Sequence, residues 1–136
     1  MSAQTPRPIV LDTNIFVAAA FKPSSKSAQI ISAARGGVLR LMWDRATRGE
    51  IEHIVGKIPR ISNRVLSGLF QEENELPVPE IPSELTIIED PADRKFAALA
   101  RSADAILITN DDHLLSCRET IDVVILRPGE FNSLPS

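Results

Sequence analysis

Short apolar runs ending in polar clusters alternate along this chain with segments whose apolar residues recur every three or four positions. Residues 9–12 form such a run, closing on Asp12-Thr13-Asn14, and read as a buried strand with Asp12 at its C-terminal end. A helix is expected over 15–21, stopped by the Lys22-Pro23 step. A second is expected over 24–35, opened by a serine cap and stopped by Gly36-Gly37. Residues 38–43 read as a second strand, and Asp44 as the N-cap of a third helix reaching Gly56, with Ile51, Ile54 and Val55 on its apolar side. The pattern over 58–70 predicts another helix, starting near Pro59 and frayed by Gly68. With its four acids and three prolines, 71–83 predicts a loop. A third strand is expected at 85–88, a helix at 91–101 with Asp93 in its first turn, and a fourth buried strand at 105–109, running into Asn110-Asp111-Asp112. Leu114 and Leu115 read as a short helical turn, 123–126 as a fifth strand, and the tail as loop. Strands alternating with helices predict a parallel sheet covered on both faces.

A chain of 136 residues is one domain, with a core expected over about 8–128 and short tails. Five Phe, one Trp and no Tyr make that core aliphatic. No apolar run approaches the roughly 18 residues of a membrane span. The opening residues lack the long apolar stretch of a secretory signal, and a single cysteine, Cys117, cannot form an internal disulfide; a cytoplasmic location is therefore expected. Cys117 itself reads as inert filler. The net charge of -3 is unevenly spread: residues 1–64 carry ten Lys/Arg against four Asp/Glu, and residues 65–136 five against fourteen. That asymmetry suggests a basic face for a polyanion, and ordinary solvated charge explains it equally well.

Two strands end alike. IVLD releases Asp12 and AILITND releases Asp111, each just beyond an apolar strand. Ligands of open parallel sheets sit at that edge, where strand order reverses. Asp93 opens the helix before the fourth strand, and its small Ala97 and Ala100 would let that helix lie close to the sheet. Glu50 lies mid-helix, flanked by Gly49, in an otherwise polar run. Crowded carboxylates repel, and a cation is the usual reason to tolerate them. With no thiolate or imidazole cluster, the fitting ions are hard: Mg²⁺ or Mn²⁺. For any one of these aspartates taken alone, a cap or turn is the simpler reading.

Three pieces, IVLDTNIFVAA, DRATRGEIEHIV and DPADRKFAALARSADAILITNDDHLL, in this order and spacing, resemble the PIN-domain family. The resemblance implies a Rossmann-like, three-layer α/β/α domain with a central parallel sheet of about five strands. It also implies Mg²⁺- or Mn²⁺-dependent endoribonuclease activity on RNA; many bacterial members are VapC-like toxins paired with an antitoxin. Carried over one by one, Asp12, Glu50, Asp93 and Asp111 match the family's metal-holding, catalytic acids. Asn14 and Thr109 match supporting polar positions, and Asp112 stands as a helper ligand. Asp90, just before Pro91, reads as a cap. Arg48-Gly49 departs from the apolar residues usual before the glutamate.

His113 reads as a turn residue and His53 as a surface residue. Lys22, Lys26, Arg45, Arg48 and Lys95 are candidates for phosphate contacts, and Trp43 for the core. The Ala/Ile-rich helices of 15–35 offer an apolar groove for an antitoxin or a second copy, forming a homodimer, with ordinary core packing the equal alternative. Two other functions fit the same residues less well. A phosphatase with Asp12 as nucleophile would want an acid two residues on, where Asn14 stands. A PIN-like RNA- or protein-binding module without turnover would have no need of all four carboxylates.

Overall fold

The computed structural model describes residues 6–61 and 63–131. Four parallel strands, β1 (Arg7–Leu11), β2 (Leu39–Leu41), β3 (Ile106–Ile108) and β4 (Ile125–Leu126), form one sheet in the order β2-β1-β3-β4. Ile9, Val10 and Leu11 of β1 are all buried, as are all three residues of β3. Successive strand residues face opposite sides, so both faces of the sheet are covered, as its unbroken apolar runs require. The helices are α1 (Thr13–Phe21), α2 (Lys26–Arg35), α3 (Arg45–Gly56), α4 (Pro91–Ala103) and α5 (Asp112–Ser116).

Their ends are set by local chemistry. Asp12 itself caps α1, its carboxylate accepting from the Asn14 N–H at 3.2 Å, so the helix starts two residues before the expected Ile15. Ser25, rather than Ser24, caps α2. Asp44 closes a reciprocal capping box with Thr47 on α3. Asp90 caps α4 as expected, ahead of Pro91 in the first turn. Phe96 through Ala100 are all buried, because α4 lies between β1 and β3 on one side and the segment before it on the other.

Three expectations are corrected. Among the described residues the sheet has four strands, not about five: residues 85–88, expected as a strand, form the end of a 3₁₀ turn spanning Ser83–Ile87 and its C-cap, Ile88. Leu85 and Ile88, three apart, are fully buried, while Ile87 is 51% exposed. That spacing suits three residues per turn and not the two-residue alternation of a strand. Arg94 secures the turn by donating to the carbonyls of Thr86 and Ile88. The helix expected over 58–70 is likewise absent from the described part of that segment, which folds as turns and a 3₁₀ turn, Asn63–Leu66. Gly68 there takes a left-handed φ of +73°, which ends any helix, and Arg35 donates to the carbonyls of Val65 and Ser67. Finally, the tail is not all loop. A 3₁₀ turn at Pro128–Glu130 delivers Phe131, 1% exposed, into the core.

Among the described residues, no helix is long and apolar enough to cross a membrane. Trp43 is buried, its indole N–H donating to the Gln71 carbonyl, with the Arg48 guanidinium over its ring.

Candidate active site

Strand order reverses between β1 and β3: the chain leaves β1 to build β2 on one side and returns to build β3 on the other. Register sets Leu11 opposite Ile108, so the next residues along, Asp12 and Thr109, meet at the C-terminal edge. Asp12 is buried, and the Thr109 hydroxyl donates to it at 2.5 Å. The same hydroxyl accepts from the Asp111 N–H at 2.9 Å. Thr109, with no exposed surface, thus ties the two strand ends and their aspartates together. Asp111 also accepts from the His113 N–H as the cap of α5.

Asp93, in the first turn of α4, completes this group. Burial, and then the negative charges of Asp111 and Asp12, raise its carboxyl from the ordinary acid range to about 7, and a hydrogen bond with the Asp111 side chain helps retain the proton. Asp12 is also raised, first by burial and further by the charges of Asp111 and Glu50; the hydrogen bonds from Thr109 and Asn14 oppose that shift without cancelling it. Three carboxyls from three separate elements therefore feel one another.

Glu50 flanks them from α3. Lys95 pairs with its Oε1 at 3.1 Å, and the Thr13 hydroxyl donates to its Oε2 at 2.9 Å. Thr13 was missed by sequence reasoning, although it stands inside the Asp-Thr-Asn cluster. As the first residue of a helix that touches α3, it was placed to turn towards Glu50. The neighbouring Asn14 is exposed and gives Asp12 its backbone N–H. Asp112 turns away to pair with Arg127 at 2.7 Å. Arg48 lies over the rings of Trp43 and Phe70 and pairs with Glu52. His113 and His53 are exposed, and Cys117 is buried.

Among the described residues, no group of three or more His, Cys, Asp or Glu side chains is drawn up as a ready-made cage for a metal ion. The chemistry of the donor set nevertheless fits a hard divalent cation. It is all carboxylate oxygen, it is crowded enough to hold a proton near neutrality, and it stands at the edge where open parallel sheets bind ligands.

Fold and site together define an α/β domain with an acidic centre at its topological switch point. The family model of the PIN domain matches residues 8–113, and the chain belongs to that family. No curated protein matches the sequence. The fold is similar to that of VapBC2 from Rickettsia felis, solved bound to a promoter DNA fragment, with a TM-score of 0.57 and 16% identity, covering 88% of this chain and 98% of that one. It is similar also to FitAcB from Neisseria gonorrhoeae, with a TM-score of 0.61, 16% identity and coverage of 90% and 99%. PAE2754 from Pyrobaculum aerophilum gives a TM-score of 0.57 at 17% identity, covering 93% and 88%.

Proposed function

We propose that this PIN domain is a metal-dependent endoribonuclease, acting as a toxin under the control of a cognate antitoxin protein. The observation that carries the reading is the convergence of Asp12, Asp93 and Asp111, with Glu50 beside them, at the sheet's switch point. Mg²⁺ or Mn²⁺ held there would activate a water and offset the charge that builds on a phosphodiester. The chain's own part is positional. Thr109 fixes the Asp12 carboxylate and the Asp111 backbone, Thr13 fixes Glu50, and the burial of Asp12 limits its screening by bulk water. The site offers no acid two residues after Asp12, because Asn14 stands there. This favours direct hydrolysis over a phospho-aspartate route.

The antitoxin rests on the family resemblance and on the fold shared with VapBC2 and FitAcB. Phe21, 51% exposed at the end of α1, supplies an apolar contact for such a partner or for a second copy. The lone buried thiol of Cys117 suits a reducing cytoplasm.

The test is incubation of the purified protein with structured and unstructured RNA. Cleavage is expected with Mn²⁺ or Mg²⁺, and it should cease with EDTA or with Asp12→Asn. A metal-replete, folded sample that leaves every RNA intact refutes the reading.

A further inference from the structure

Of the four acids, Glu50 is the one whose two oxygens are both taken by side chains of the protein: Oε1 by the Lys95 ammonium at 3.1 Å, Oε2 by the Thr13 hydroxyl at 2.9 Å. Both partners come from the segments that supply the other ligands. Thr13 follows Asp12 directly, and Lys95 stands two residues beyond Asp93 on α4. The ion pair is no loose surface contact, since its side chains are only 29% and 21% exposed. A half-buried pair is screened less than one in open water. Lys95 therefore brings a fixed positive charge to the same acidic rim that a divalent ion would enter. In phosphodiester hydrolysis by two ions, the second ion lies about 3.5–4 Å from the first and shares the charge on the reacting phosphate. An ammonium tethered at the rim can take that role. It uses one N–H on Glu50 and keeps two for a phosphate oxygen.

Building on the nuclease reading above, we propose that Lys95 is the built-in second cation of this site: it holds Glu50 out of direct metal ligation, so that the chain takes a single divalent ion among Asp12, Asp93 and Asp111.

The experiment counts Mn²⁺ bound per chain at pH 7.5, by electron paramagnetic resonance during titration, for the wild type, Lys95→Met and Glu50→Gln, each checked for folding by circular dichroism. One Mn²⁺ is expected in the wild type. Lys95→Met should release Glu50 and admit a second ion. Glu50→Gln should still bind one, with affinity altered by less than about tenfold, the lower limit for loss of a group acting through a ligand. The proposal is overturned by two ions in the wild type, by a single ion in folded Lys95→Met, or by loss of binding in Glu50→Gln. Absence of any Mn²⁺ binding by the folded wild type overturns it as well and takes the metal-dependent reading with it; the other three outcomes leave that reading standing.

Discussion

Replacing Thr109 with valine keeps the shape of the side chain and removes the hydroxyl that joins β1 to β3. The hydroxyl makes two bonds: it donates to the buried Asp12 carboxylate and accepts from the Asp111 N–H. A hydrogen bond to a charged group contributes about 1.5–3 kcal/mol, and leaving a partly buried N–H without its acceptor costs roughly 1–3 kcal/mol. The two share one atom and are not additive. A net loss of about 3 kcal/mol is therefore expected, allowing for the methyl group gained. Thr109→Ser is the control: it keeps both bonds and loses a methyl group, at about 1 kcal/mol. The two variants should differ by about 2 kcal/mol in urea unfolding at pH 8 with EDTA present.

The sign of the pH dependence gives a second check. The Thr109 bond favours the ionised form of Asp12 and opposes the upward shift caused by burial. Without the hydroxyl, that carboxyl rises further. At acid pH, where Asp12 is protonated in both variants, the gap is smaller and reflects mainly the unpaired Asp111 N–H; it widens as pH rises through the Asp12 titration. A gap of under about 0.5 kcal/mol at pH 8, the ordinary scatter of surface substitutions, or one that widens towards acid, would refute the account of Thr109 as the tie between the strand ends.

Asp93, raised to about 7, makes the metal-free protein lose stability as pH climbs from the ordinary acid range to about 7, since the unfolded chain ionises first. In EDTA melts, Asp93→Asn should match the wild type near pH 4 and exceed it at pH 8; equal curves throughout would remove the crowding argument. Saturating Mn²⁺ should reverse the wild-type trend by binding the ionised acids, giving its largest rise in melting temperature above pH 7. Asp12→Asn, which relieves a buried charge, should melt higher than the wild type in EDTA while losing cleavage, and a variant that keeps cleaving RNA would exclude Asp12 from the chemistry. Ile88→Ala should cost about 3 kcal/mol and Ile87→Ala under about 0.5 kcal/mol; comparable losses would contradict the 3₁₀ turn before α4.

The switch-point edge was legible because its signals are local. An apolar run that ends in Asp marks both a buried strand and a helix cap, and two such runs, at Asp12 and Asp111, become neighbours once the parallel sheet forms. Asp90 and Asp44 were readable as caps for the same reason. Residues 85–88 were misread because Leu-Thr-Ile-Ile has strand composition, while its conformation is decided by distant groups: the floor formed by α4 and the two bonds from Arg94. The segment after Gly56 shows the same limit, since Arg35, some thirty residues earlier, holds its turns. Thr13 and the grip of Lys95 on Glu50 depend on how α1, α3 and α4 meet, which no spacing along the chain encodes.

Crowded acids should oppose folding, yet here they sit on the fold's own structural joints. Asp12 caps α1 and Asp111 caps α5, while Asp93 lies in the first turn of α4. The Asp12 and Asp111 carboxylates each accept from a backbone N–H of the helix they cap, and all three acids lie at the positive end of a helix, an interaction of about 0.3–1 kcal/mol apiece. The caps are needed whether or not an ion arrives, so the chain can fold around its acidic centre before it is loaded. They do not offset the crowding in full: Asp12 remains raised despite the Asn14 N–H and the Thr109 hydroxyl, and Asp93 is raised as well, with burial the leading cause in both. That remainder would favour a divalent cation, because an ion held at the rim would take the place of the Asp93 proton and relieve a repulsion that helix ends alone do not cancel.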